Sequence, residues 1–372
     1  MNFKQPKFKS ALHVMPGVEG GHDGLPSNRS VTVGNTIPET QRKGMTTQDY
    51  LEGIFCGDRT RLARAITLIE SNSPSHFAQS QEVLKSVLPR AGGAIRIGIT
   101  GVPGAGKSTF IEAFGTYLTS RGNKVAVMAV DPSSTVTGGS ILGDKTRMER
   151  LATDPMAFIR PSPSGGTLGG VARKTREALL IFEAAGYDVV LVETVGVGQS
   201  ETTVRSMVDF FLLVLVPGAG DELQGIKKGV VELADAILIN KADGSNIIPA
   251  QAAKAEYERA LHYLQPATDG WQTIAMTASA LTGDGIPKVW EEIESFINST
   301  KLSGAFQSRR QMQERAWLRA IVEGYLIEQF YANDQIQQLL PLLDSAVMNG
   351  EIPATTAAQK LLDTFDADRT TK

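Results

Sequence analysis

Between Ile95 and Phe110 the chain reads IRIGITGVPGAGKSTF, and few folds accept such a stretch. Ile95, Ile97 and Ile99 alternate as in a buried strand, and the residues from Lys107 onward open a helix. The loop between them follows G-x-x-x-x-G-K-[ST] as Gly101, Gly106, Lys107 and Ser108. Gly101, Gly104 and Gly106 let the backbone curl until successive N–H groups point inward. With the N-terminus of the next helix they make a concave anion site. Lys107 is placed to reach terminal phosphates as a point charge, and the Ser108 hydroxyl is a candidate Mg²⁺ ligand.

The rest of the chain suits the fold this loop demands. Apolar runs predict buried parallel strands at Ile95–Thr100, Val125–Val130, Ala157–Ile159, Val189–Val192, Phe210–Val216, Ala236–Ile239 and Thr273–Met276. Helical stretches between them include Lys107–Ser120, Val171–Ala185 and Leu223–Leu233, with Gly122 and Gly186 where helix C-caps belong. Repeated β-α units predict an α/β fold, a mostly parallel P-loop NTPase sheet with helices on both faces. Its ligands bind at the carboxyl ends of the strands. The expected divisions are a disordered extension over 1–45, an N-terminal helical cap over 46–92, the P-loop domain over 93–300 and a C-terminal helical segment over 301–372.

Two flanks carry helical patterns of their own. Tyr50, Leu51 and Ile54, then Leu62, Ile66 and Ile69, then Val83, Leu84, Val87 and Leu88 form apolar stripes interrupted at Asn72–Pro74. After Gly283, a stripe of Ile286, Val289, Trp290, Ile293 and Ile297 precedes a long helix, Arg310–Phe330, which carries Trp317, Ile321, Tyr325 and Leu326. That appendage buries its apolar face against the P-loop domain or a second subunit, and its length favours a dimer.

Composition excludes several classes. A net charge of −3 points to neither nucleic acid nor a membrane surface. No apolar run reaches membrane-spanning length. The single cysteine, Cys56, rules out an intrachain disulfide framework and fits a reducing, cytoplasmic setting. Residues 1–45 leave two readings open: a targeting peptide, which Glu19, Asp23 and Glu39 disfavour, or an extension upstream of a true start at Met45.

Candidate chemistry gathers after the strands. Asp131 follows the second strand, as a Mg²⁺ neighbour or a plain Asp-Pro turn. Asp144, in GGSILGDKTRM, is a second metal candidate or a helix N-cap. Glu193, in ETVGVGQSE, ends the fourth strand, where a carboxylate orients Mg²⁺ or the attacking water; Gly196 is a candidate reader of the γ-phosphate and Gln199 a candidate water holder. Asn240-Lys241-Ala242-Asp243 fits the N/T-K-x-D pattern that reads guanine. Asp243 can accept from guanine N1–H and the N2 amine together, donors that adenine lacks. Asn240 would brace the loop, Lys241 would lie along the base, and Ser279-Ala280-Leu281 would offer a backbone N–H to guanine O6. PGAGDELQGIKKG, with Asp221, Gln224 and Lys227, is a solvated helix start or a loop that carries the nucleotide state to a partner.

In this order, ITGVPGAGKST, VDPSST, GGSILGDKTRM, FIRPSPS, ETVGVGQSE, PGAGDELQGIKKG and NKAD resemble the methylmalonyl-CoA mutase-associated GTPases, within the P-loop metallochaperone group. The resemblance runs from about Thr47 to the C-terminal helices. It implies GTP/GDP and Mg²⁺ as ligands, and a chaperone that gates cofactor loading, and replacement of inactivated cobalamin, on an adenosylcobalamin-dependent acyl-CoA mutase. It assigns the phosphate cradle to Gly101, Val102, Pro103, Gly104, Ala105, Gly106, Lys107, Ser108 and Thr109. It assigns the metal surround to Ser108, Asp131, Asp144 and Glu193, and guanine to Asn240, Lys241, Asp243, Ser279, Ala280 and Leu281. On this resemblance Lys107, Glu193 and Asp131 serve catalysis, Asp221, Gln224 and Lys227 form an additional switch, and the C-terminal helices form a homodimer arm. The chain lacks a D-x-H-x-x-G cobalamin signature, so cofactor contact is expected through the partner. Two other classes remain as alternatives. A nickel-insertion GTPase needs a Cys/His site that one cysteine and four scattered histidines do not offer, and NKAD argues against a small-molecule kinase or transport ATPase.

Overall fold

Seven strands form one sheet in which every pairing is parallel, in the order β3-β2-β4-β1-β5-β6-β7. They are β1 (Ile95–Gly101), β2 (Val125–Val130), β3 (Ala157–Arg160), β4 (Val189–Thr194), β5 (Phe210–Leu215), β6 (Ala236–Ile239) and β7 (Ile274–Thr277). The computed structural model describes residues 44–130, 148–161, 168–194, 200–218 and 228–371. Most of the expected 1–45 extension lies outside them, as do Asp131, Asp144, Gly196, Gln199, Asp221, Gln224 and Lys227.

The strands are apolar on both faces because both faces are covered. Ile97, Ile99, Val125, Val127, Val189 and Leu191 point into one core, which they share with Phe110 and Phe114 of α4 (Lys107–Ser120). Ala126, Met128, Val190 and Val192 point into the other. This two-residue alternation follows from the pleat. The first core also takes up Ala250 and Tyr257 of one helix and Val289, Trp290 and Ile293 of a later one, while Glu149–Thr153 contributes Leu151. In chain order those helices are α5 (Glu149–Thr153), α9 (Ile247–Leu261) and α10 (Ile286–Ser303). α10 runs past the expected boundary at 300.

The second core is covered by α1 (Thr47–Cys56), α2 (Arg59–Glu70), α3 (Pro74–Val87), α6 (Leu168–Ala184) and α7 (Ser200–Arg205). Ile54, Leu62, Ile66, Ile69, Val83 and Val87 are buried there. Two details depart from the sequence pattern. The 47–90 segment breaks first at Gly57, whose φ of 73° caps α1 while the Asp58 carboxylate accepts from Thr60 N and Arg61 N to start α2. Leu88 ends its stripe 59% exposed, because Pro89 turns the chain into a 3₁₀ turn there.

α6 carries a buried carboxyl against this cap. Lys174 Nζ donates to Asn72 Oδ1 at 2.7 Å, and Glu177 is 7% exposed. Burial pushes the Glu177 carboxyl up to about 7, against the opposing pull of Arg173 and Lys174. A carboxyl with a raised folded pKa binds its proton more tightly when folded. Its contribution is present below the unfolded pKa and is lost as pH rises through about 7. Glu177→Gln is therefore expected to stabilise the protein by about 1–3 kcal/mol at pH 8 and to change little at pH 5. Urea unfolding at the two pH values checks this, and equal effects at both would refute it.

The C-terminal region is α11 (Ala305–Ala332), α12 (Asp334–Met348) and α13 (Ala354–Thr371), with α8 (Lys228–Leu233) earlier in the chain. The first turns of α11 grip the amino-terminal ends of the central strands. Arg310 makes a bidentate pair with the buried Asp209, through Nε at 2.7 Å and Nη2 at 2.6 Å. Gln313 Nε2 donates to Val208 O at 2.8 Å. Farther along, α11 buries no residue, and Leu318, Val322, Tyr325, Leu326, Ile327 and Tyr331 stay exposed. Among the described residues no helix is long and apolar enough to cross a membrane.

Candidate nucleotide-binding site

β1 lies between β4 and β5, and the chain leaves it to build the sheet outward in both directions. The loop after β1 therefore opens at the carboxyl ends of the central strands, where a doubly wound sheet holds its ligands. Gly106 adopts φ 83° directly before α4, and a Cβ there would stand 2.8 Å from Asn240 Nδ2. Only glycine meets both the left-handed backbone and that close approach.

Lys107 is 9% exposed, and its Nζ donates to Gly101 O at 2.8 Å and to Val102 O at 3.3 Å. Burial lowers its pKa from the ordinary lysine value, and the carboxylates of Glu193 and Glu201 oppose that shift. Beside it, Ser108 Oγ donates to Glu193 Oε1 at 3.0 Å. Glu193 sits within β4 rather than beyond it, opposite Ile99 of β1. Next to it, Thr194 Oγ1 donates to Thr100 Oγ1 at 2.8 Å and ties the ends of the two strands together.

Asn240 is 1% exposed and joins three loops. Its Nδ2 donates to Ala105 O at 2.9 Å, and its Oδ1 accepts from Ala280 N at 3.2 Å. Lys241 next to it holds φ 59°, the one left-handed non-glycine residue among those described. Such a conformation costs about 1–2 kcal/mol per residue and persists where the surroundings impose it. Here Asn240 on one side and the Ala242 N to Ala278 O bond of 3.1 Å on the other impose it. Asp243 is half-buried, and its Oδ2 accepts from Ser279 Oγ at 2.5 Å. Ser279 Oγ also accepts from Thr282 N at 3.1 Å, so one hydroxyl orients the carboxylate and closes its own loop. Leu281 stands 82% exposed on that loop.

Gly101–Thr109, Glu193, Asn240–Asp243 and Ser279–Leu281 thus come to one end of the sheet. Asp131, Asp144, Asp221, Gln224 and Lys227 lie outside the described residues. Two participants escape sequence reasoning. The Ser279 side chain carries a contact where only its backbone was an obvious candidate, and Glu201 of α7 is 2% exposed within electrostatic reach of Lys107. In the sequence Glu201 is indistinguishable from a solvated acid in a helix's first turn.

Residues 62–335 match the family described as methylmalonyl Co-A mutase-associated GTPase MeaB. A protein of Caulobacter vibrioides named as a GTPase is 54% identical over 314 residues, covering 84% of this chain and 95% of that protein. The mitochondrial methylmalonic aciduria type A homolog of Mus musculus is 44% identical over 323 residues, covering 84% of this chain and 78% of that one. The crystal structure of an LAO/AO transport system kinase superposes with a TM-score of 0.71 at 41% identity, covering 86% of this chain and 97% of that one. With a phosphate loop, a guanine-type N-K-x-D loop and this match over most of its length, the chain is a GTPase and belongs to the methylmalonyl-CoA mutase-associated GTPase family.

Proposed function

We propose that this GTPase serves an adenosylcobalamin-dependent acyl-CoA mutase as a chaperone, coupling GTP hydrolysis to cofactor loading and to replacement of inactivated cobalamin. One observation carries the nucleotide half of this reading. The buried Asn240 side chain bonds the phosphate loop at Ala105 and the loop of Ala280, so both ends of a bound GTP would be held by one rigid unit. The mutase half is supported by the family's association with methylmalonyl-CoA mutase.

In this reading the N–H groups of Gly101–Thr109 cradle the phosphates, and Lys107 leaves its two carbonyl acceptors for the β- and γ-oxygens. Asp243 and the backbone of Ser279–Leu281 bind guanine. Mg²⁺ fits the hard oxygen donors that Ser108 and Glu193 bring together, with Asp131 and Asp144 as further candidates. When bound, that ion neutralises charge on the phosphate oxygens. Asp221, Gln224 and Lys227 form the loop that reports nucleotide state to the mutase. The exposed apolar face of α11 supports a homodimer, since a monomer rarely leaves so many large apolar side chains in water. No nucleic-acid or membrane contact is required, and the setting is cytoplasmic.

The test is GTP hydrolysis by the purified chain with and without a candidate acyl-CoA mutase, with ATP as control. A slow GTP-selective rate that rises about tenfold or more at saturating mutase is expected, because ordering of loops around the phosphates is worth at least that much. A GTP-selective rate indifferent to every mutase would overturn the chaperone reading. Phosphate transfer from ATP to a metabolite would favour the kinase named in the structural comparison.

A further inference from the structure

α7 is held at its carboxyl-terminal end by a helix that carries none of the nucleotide motifs. A helix as short as Ser200–Arg205 does not persist in water unaided, so its neighbours set its place. The last carbonyls of a helix have no partner inside it, and here side chains of other helices supply partners. Gln313 Nε2 of α11 donates to Val208 O at 2.8 Å and to Arg205 O at 3.4 Å. Arg176 Nη2 of α6 donates to Ser206 O at 2.8 Å, and its Nη1 donates to Gln313 O at 3.3 Å, so the two donors brace each other. Arg205 itself donates to Leu233 O at 2.9 Å and shares the buried Asp235 carboxylate with Arg309, one turn before Gln313 on α11.

The amino-terminal end of α7 is joined to the chemistry by residues 195–199 alone. They follow Glu193 and Thr194 of β4, and Glu193 accepts from Ser108 of the phosphate loop. They carry Gly196 and Gln199, the candidates for the γ-phosphate and the attacking water. A connection that short reaches only as far as its two anchors allow. The sheet fixes the first anchor, where Thr194 Oγ1 donates to Thr100 Oγ1 at 2.8 Å. α7 is the second. It lies on β1, where a Cβ on Gly98 would meet Val204 Cγ1 at 3.0 Å and Val208 Cγ2 at 2.9 Å. Apolar packing is non-directional and sets how closely the helix lies, whereas hydrogen bonds are directional and set where it stops.

We propose that Gln313 is a positioning residue for GTP hydrolysis: it fixes the carboxyl-terminal end of α7 and, through α7, the chain that follows Glu193. This makes the first turns of the C-terminal helix part of the hydrolytic apparatus. The inference rests on reading ETVGVGQSE as the stretch that meets the γ-phosphate. Nucleotide affinity belongs instead to Gly101–Thr109, Asn240–Asp243 and Ser279–Leu281, whose loops are held by the contacts of Asn240 and Ser279.

The experiment measures single-turnover GTP hydrolysis with Mg²⁺, and the affinity for N-methylanthraniloyl-GDP, on the full chain of wild type, Gln313→Ala, Gln313→Met and Arg310→Lys. Methionine keeps the length and bulk of glutamine but offers no donor, so it tests the two bonds alone and decides the matter even where the alanine variant does not fold. Both Gln313 variants are expected to slow hydrolysis about 3- to 10-fold, short of the roughly hundredfold that a misplacement of about 1 Å costs, with GDP affinity within about twofold of wild type. Arg310 anchors the same helix through Asp209, Gly92 O and Ala94 O, none of them in α7. Arg310→Lys should therefore lower the melting temperature and leave hydrolysis by the folded protein near the wild-type rate. An unchanged rate in Gln313→Met, a matching loss of GDP affinity, or an equal slowing in Arg310→Lys overturns the proposal. If Gly196→Ala hydrolyses GTP as fast as wild type, it is the reading of the stretch after Glu193 that fails, a result distinct from the others.

Discussion

Lys107→Ala should cost the protein about 3 kcal/mol of nucleotide affinity, roughly a hundredfold, as expected for one charge-assisted contact in a dry site. Titration with labelled GDP measures it. The effect is large because Lys107 is buried and held by the carbonyls of Gly101 and Val102, so its ammonium is already in position. Alanine removes that charge, which the carboxylates of Glu193 and Glu201 favour, together with the two bonds to the loop carbonyls. The unliganded protein should therefore also melt lower, and Mg²⁺·GDP should no longer raise its melting temperature. Arginine should not rescue either property, because a planar guanidinium does not fit between two backbone carbonyls as a compact ammonium does. An affinity within threefold of wild type, on the same scale, would remove Lys107 from the phosphate site.

Asp243→Asn should be the most damaging change to base selectivity. The carboxylate can accept from guanine N1–H and from the N2 amine. An amide offers one acceptor and presents its own N–H₂ to a donor. A site built for such hydrogen bonds rejects a mismatched partner by about 10⁴, so a loss of GTP preference over ATP by roughly 10²–10⁴ is expected. Ser279 Oγ keeps the residue oriented through the 2.5 Å bond to Asp243, so the loss should be chemical rather than positional. Xanthosine triphosphate separates the two causes. It carries a carbonyl where guanine carries the N2 amine, so it should bind the asparagine variant better than GTP does. Equal loss for both nucleotides would mean that the loop has collapsed, and an intact GTP preference would remove Asp243 from the base site.

Much of the fold was legible because its signals are local. The helix Lys107–Ser120 and the strands Val125–Val130 and Ala236–Ile239 have the bounds their residues suggest. Gly122 and Gly186 take positive φ where helices end, since only glycine enters that region without strain. The break at Gly57–Asp58 was written in the sequence too, as a C-cap glycine before an N-cap aspartate, but a continuous apolar stripe hid it. The apolar residues of α11 mark the opposite limit. Trp317 lies beneath the Arg176 guanidinium at 5.6 Å, while Tyr325 and Leu326 remain in water, and nothing in their spacing separates the two cases.

The sequence by itself determined the chemistry of each loop and the class of fold. Glycines that admit left-handed backbone, a lysine and serine at a helix start, and an aspartate after N-K-x are functions of contiguous residues, and the strands' unbroken hydrophobicity calls for a covered parallel sheet. Which groups meet was decided by tertiary structure alone. Asn240 reaches Ala105 across a separation of 135 residues because β5 and β6 follow β1 in the sheet and bring their carboxyl ends to one edge. Val204 of α7 closes onto β1 because glycine at position 98 leaves room for it. Strand order and burial depend on how all the helices cover both faces at once, and no local pattern of residues encodes that.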